Sequence, residues 1–158
     1  MREIENLIKE VTMTFHLSVD YGRNVEDGAR AGQYDWFNPE INSLHFPAER
    51  KGTVEVVMEI IQYDKEQTEP DEVIRDLNSR GMRPATIAEL LAFGAAYPDM
   101  QRKFPIVALG SVWWGWHGRG GVAYLIGSAS RRDLRLEFWD QRRLPGYGFA
   151  AVRRGGED

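Results

Sequence analysis

The chain has 158 residues, 42% hydrophobic and 28% charged, with no cysteine and a formal net charge of −4. That fits one globular domain, excludes disulfides and thiolate metal sites, and leaves no apolar run long enough to cross a bilayer. The polar start Met1-Arg-Glu-Ile-Glu-Asn lacks the apolar core of a secretory signal, and with the missing thiols this gives a cytoplasmic protein as the expectation.

In chain order, Ile4, Leu7, Ile8 and Val11 have the spacing of a short helix. Val11, Met13, Phe15, Leu17, Val19 and Tyr21 then alternate with polar residues, which predicts a strand with one wet face carrying His16. Asn24 to Gly32 reads as a short helix ended by glycine. Asn38-Pro39 marks a turn, with Pro39 suited to opening a short helix. Asp35, Asn38 and Glu40 could in principle hold a hard cation, but they lack calcium-loop spacing, so a packed turn capped by side chains is the better reading.

Thr53 to Tyr63 is apolar on both faces and predicts an interior strand. A helix follows from about Pro70 to Arg80, stopped by Gly81. Thr86 and Glu89 form a capping box, and Ile87, Leu90, Leu91, Gly94 and Tyr97 carry one helical stripe up to Pro98.

The stretch Pro105 to Ile126 is the most unusual. An apolar run containing Val107, Leu109 and Val112 leads to Trp113, Trp114 and Trp116 among glycines, then to a second apolar run from Val122. Two strands joined by a glycine-rich, aromatic-tipped loop is the expectation, with Trp113 buried and Trp114 or Trp116 exposed. Asp133 to Trp139 alternates with Leu134, Leu136 and Phe138 inward and Arg135, Glu137 and Trp139 outward, and Phe149 to Arg154 reads as the last strand.

Charge is asymmetric. Residues 1–80 hold nine basic against seventeen acidic side chains, whereas residues 81–158 hold eleven against seven. His16, His45 and His117 stand apart without metal-ligand spacing, there is no nucleophile elbow, and Gly118-Arg-Gly-Gly121 lacks the residues of a phosphate loop. The reading therefore leans away from an enzyme, with no cofactor and no metal. A basic, aromatic second half could also stack a single nucleic-acid strand, but the acidic first half opposes phosphate, so nucleic acid ranks as a minor alternative.

The order Val54–Tyr63, Glu72–Arg80, Gly81, Thr86–Tyr97 and the closing Gly148-Phe-Ala-Ala-Val-Arg153 resembles the C-type-lectin-like fold. The resemblance implies an α+β domain with a largely antiparallel sheet, two principal helices, and a last strand that pairs back near the first. It divides the chain into an extension (residues 1–52) packed on the domain, a binding domain (53–154) and a frayed tail (155–158). The lectin cysteines and the Glu-Pro-Asn, Gln-Pro-Asp and Trp-Asn-Asp triplets are absent, so calcium-dependent sugar binding does not carry over. The disulfide-free branch nearest in character, related to formylglycine-generating enzymes, includes the variable proteins of diversity-generating retroelements, which use this fold for display. Arg83 to Gly94 and Phe104 to Trp113 are also similar to an uncharacterised family of phage and candidate-phylum bacterial proteins.

These readings favour a non-enzymatic module for a protein or small ligand, with a small enzyme of unknown reaction as the alternative. Its expected surface comprises Trp114, Trp116, His117, Arg119, Arg131, Arg132, Trp139, Arg142, Arg143 and Tyr147, because Trp, Tyr and Arg most often dominate interface energies.

Overall fold

A computed structural model describes residues 10–155. The expected helix at residues 4–8 and the tail from residue 156 lie outside the described residues, and Val11 belongs to the first strand. The strands are β1 (Glu10–Asp20), β2 (Trp36–Phe37), β3 (Thr53–Tyr63), β4 (Met82–Pro84), β5 (Ile106–Val107), β6 (Trp113–Trp116), β7 (Arg119–Ser128), β8 (Arg131–Phe138) and β9 (Gly148–Arg153). The helices are α1 (Val25–Ala31), α2 (Pro70–Ser79) and α3 (Ile87–Ala96).

The strands form one open sheet in the order β1-β3-β9-β5-β7-β8-β2, with β4 beside β9 and β6 beside β7. Only β5 with β9 and β2 with β8 run parallel. The architecture is therefore mixed α+β with a large, mostly antiparallel, non-closed sheet. β1 pairs with β3 along its whole length, from Glu10 opposite Tyr63 to Asp20 opposite Thr53. Residues 10–52 thus supply both edge strands, and β9 returns to pair antiparallel with β3.

The alternation of each strand separates two cores. Leu17, Val19, Met58, Ile60, Ile106, Ala123, Leu125, Leu134 and Val152 point to one face, where α1 and α3 cover them. Ile61, Val107, Val122, Phe149 and Ala151 point to the other, where α2 adds Val73 and Leu77. Apolar residues on both faces of β3 and β9 follow directly from this two-sided cover.

The helix starts are set by local chemistry. Asn24 Oδ1 accepts from the Asp27 amide at 2.8 Å to open α1. Thr86 and Glu89 close their capping box at the start of α3, the Glu89 carboxylate accepting from the Thr86 amide at 2.8 Å. Glu89 is fully buried and also accepts from Arg83 at 2.9 and 2.7 Å and from the Tyr21 hydroxyl. Burial alone would raise its carboxyl, but these donors hold it below the usual carboxylate range. Burial, then Glu89, pushes the Tyr21 phenol up to about 12.

Four expectations are corrected. Pro39 opens no helix; Asn38 Oδ1 instead caps the turn by accepting from the Glu40 amide at 2.9 Å. The run from Pro105 is not one continuous strand, because the Gly110 amide leaves the ladder to bond Ala85 O at 2.8 Å. A Cβ on Gly110 would lie 2.5 Å from that same oxygen, so only glycine permits the detour. Trp113–Trp116 is a strand rather than loop. Glu137, expected outward, points away from the α1–α3 core but is buried under the 139–147 loop, only 6% exposed.

Candidate functional site

β6 and β7 form a hairpin with Trp113 opposite Gly121, Trp114 opposite Gly120 and Trp116 opposite Arg119. His117 and Gly118 make its turn with φ of 52° and 76°, both in the left-handed region that a primed two-residue turn demands. An irregular step at Gly115 lets Trp113 and Trp116 share one face while Trp114 takes the other. The first face is packed. Trp113 is half-buried and stacks on His45 with centroids 3.5 Å apart. Trp116, also half-buried, lies 4.8 Å from Phe138, and the Arg119 guanidinium sits 3.8 Å above that ring. Arg119 Nη2 donates to Asp140 Oδ1 at 2.6 Å and holds the Asp140 carboxyl below its ordinary value.

The second face is open. Trp114 is 70% exposed, the most exposed of the described aromatics, and meets Trp139 at 5.9 Å and 53°. Trp139 is fixed by its amide donating to Gly120 O at 2.8 Å. Gly120 lets the indole of residue 114 lie on the backbone, since a Cβ there would come within 2.8 Å of it.

Not every expected residue reaches this place. Arg132 is only 5% exposed and donates to Pro98 O, Gly32 O and Gly94 O at 2.8, 2.6 and 2.9 Å and to Gln101 Oε1 at 3.1 Å. It ties the ends of α1 and α3 to β8 and lies over the Tyr34 ring, so it cannot touch a ligand. Arg143 is fully buried, paired to Glu137 at 2.9 Å and donating to Phe138 O, Trp139 O and Gln141 O. It clasps the 139–147 loop from inside. Tyr147 is half-buried and gives its hydroxyl to Glu137 at 2.7 Å; burial, then that carboxylate, raises its phenol.

Arg131 pairs with Ser128 at the far end of the β7–β8 ladder, seven residues and thus about 23 Å from Phe138 at the base of the hairpin. Arg142 is exposed on its loop, 3.2 Å from Gln67 Oε1 and 3.6 Å from Glu69. Trp114, Trp116, His117, Arg119 and Trp139 come together; Arg131 and Arg142 lie elsewhere on the surface, and Arg132, Arg143 and Tyr147 are engaged by partners within the protein. Consecutive arginines look alike in sequence. Which one is swallowed depends on carbonyls brought in from residues 32, 94 and 98.

No family model, curated protein or solved structure matches the chain. The site is therefore read from its own geometry. Among the described residues, no His, Asp or Glu side chains cluster in a way that could hold a metal ion.

Two features escaped the sequence reading. One is a 460 Å³ cleft on the α1–α3 side, lined by Tyr21, His45, Arg50, Leu91, Ala92 and Ser111 among others. Its walls come from four separated segments, so no local pattern announced it. His45 links it to the hairpin through Trp113. The other is Trp36 on β2, which is 42% exposed beside Arg135. Its short strand gave no alternation to read.

Proposed function

We propose that this protein is a binding module whose contact surface is the open face of the β6–β7 hairpin, built on Trp114 and Trp139. The observation that carries this reading is Trp114: a large indole held mostly in solvent by a glycine backbone and a second indole. Rigid, exposed aromatics contribute large contact area at low entropic cost, and Trp114 with Trp139 makes a contiguous aromatic patch rather than a single exposed side chain. The surrounding polar groups are spent on each other, Arg119 on Asp140 and Arg143 on Glu137, and serve to rigidify the platform. A protein segment or a small ligand suits such a surface.

The placement of α2 and α3 between β3 and the later strands, with β9 returning to β3, supports reading residues 53–154 as C-type-lectin-like. The cysteine-free composition suits a reducing, cytoplasmic setting. Affinity capture from the native host, run with the wild type and with Trp114→Ala, tests the proposal: the wild type retains a partner that the variant loses. Reproducible turnover in a broad hydrolase screen, abolished by a single side-chain substitution, would replace the module with an enzyme.

A further inference from the structure

The hairpin platform is one end of a longer strip of this sheet that is exposed at its two ends. On the sheet face that carries α2, the helix and the 139–147 loop cover the cluster of Ile61, Val107, Val122 and Phe149. The register then places further residues on that same face. Ile126 lies opposite Asp133, Tyr124 opposite Arg135 and Val122 opposite Glu137, while Trp36 lies beside Asp133 on the edge strand. Asp133 to Trp139 spans about 20 Å. The strip therefore runs from Trp36, with the Arg135 guanidinium 5.6 Å from its ring, past half-buried Tyr124, then over the 139–147 loop that buries Val122 and Glu137, to Trp139 and Trp114.

The strip's charges are incompletely matched. Buried Asp133 serves two arginines, taking Arg131 Nε at 2.9 and 3.1 Å and Arg135 Nε and Nη2 at 3.1 and 2.7 Å. Both Nη atoms of Arg131 and Nη1 of Arg135 have no hydrogen-bond acceptor among the described residues. One carboxylate facing two exposed guanidiniums leaves a positive end with free, planar donors suited to a carboxylate.

Building on the binding role assigned to Trp114, we propose that the partner is an extended acidic peptide segment lying along this strip. Its apolar side chains sit on Trp114–Trp139 and on Trp36, and a carboxylate meets Arg131 and Arg135. A segment of about six extended residues covers the distance. A single nucleic-acid strand fits less well. It brings one phosphate per nucleotide, whereas Arg119 is already matched by Asp140, Arg142 approaches Glu69, and Asp133 cancels one of the remaining two cations.

Fluorescence anisotropy with three labelled probes tests this: a nine-residue peptide of alternating Leu and Asp, the same peptide with Lys for Asp, and a nine-nucleotide oligo-dT. The acidic peptide binds, the basic one does not, and oligo-dT binds at least tenfold more weakly. A four-residue Leu-Asp peptide, too short to reach both ends, also loses at least tenfold. Trp36→Ala and, separately, Arg135→Gln each weaken the acidic peptide about tenfold or more with unchanged melting. Oligo-dT binding as tightly as the acidic peptide, or no binding of the acidic peptide at all, overturns the proposal. If Trp114→Ala abolishes binding while Trp36→Ala and Arg135→Gln do not, the strip fails but the hairpin platform stands. If Trp114→Ala leaves peptide binding intact, the platform itself is wrong.

Discussion

Trp114 and Arg132 lie eighteen residues apart in a stretch rich in both residue types, yet the fold gives them opposite duties. Trp114 touches Trp139 and the Gly120 backbone and is otherwise in water, so Trp114→Ala should change stability by less than about 1 kcal/mol. Arg132 satisfies carbonyls from two separate segments, at residue 32 and at residues 94–98. Arg132→Ala strands those acceptors and should cost at least about 3 kcal/mol, read as a lower urea midpoint. Arg143→Ala leaves Glu137 buried without its cation and should cost about 3–5 kcal/mol. A triple variant of Trp114, Trp116 and Arg132 is therefore unsuitable for testing binding alone. Its loss of function would come from unfolding. Gly120→Ala perturbs the platform while leaving both buried arginines in place: the new Cβ comes within 2.8 Å of the residue 114 indole and 2.9 Å of Val112, so binding should fall with a modest drop in melting temperature.

At the scale of elements, α3 was legible because its start is encoded within four residues and its stripe within one helix. Leu90 is fully buried there, and Leu90→Ala should cost about 2–5 kcal/mol in denaturant melts. Thr86→Ala should cost about 1 kcal/mol through the lost cap. β1 was equally legible, since alternation over eleven residues leaves one face for the core, and β3 because its eleven residues are apolar on both faces. The two-residue strands β2 and β5 were not, because nothing that short has a period. Nor was the inward turn of Glu137, which a strand pattern assigns to solvent; its reason is Arg143, six residues later on a loop that folds back.

The Tyr21–Glu89–Arg83 group joins β1 to α3 and gives both elements a pH dependence. Glu89 has its carboxyl lowered on folding, so its contribution is present above the unfolded carboxylate range near pH 4.5 and is lost as the pH falls through its lower folded value. Tyr21 has its phenol raised, so its contribution is whole below about pH 10 and is lost as the pH climbs toward about 12. Urea midpoints should be flat from pH 6 to 9 and fall on both sides. Tyr21→Phe should blunt the alkaline fall. An alkaline limb identical in wild type and variant would remove Tyr21 from that linkage.

Over the whole molecule, one sheet carries two cores, and the helices leave uncovered the stretch where β7, β8 and β2 meet the hairpin. The sequence already located the aromatic end of that stretch, because three of five tryptophans fall within four residues. It could not show the opposite end, which needs β2 brought beside β8 across nearly a hundred residues. On this reading Trp114 serves contact and not folding. Partner capture and thermal melting, measured together on wild type and Trp114→Ala, decide it. The variant should melt within about 3 °C of wild type and lose the captured partner. Undiminished capture by the folded variant would contradict it.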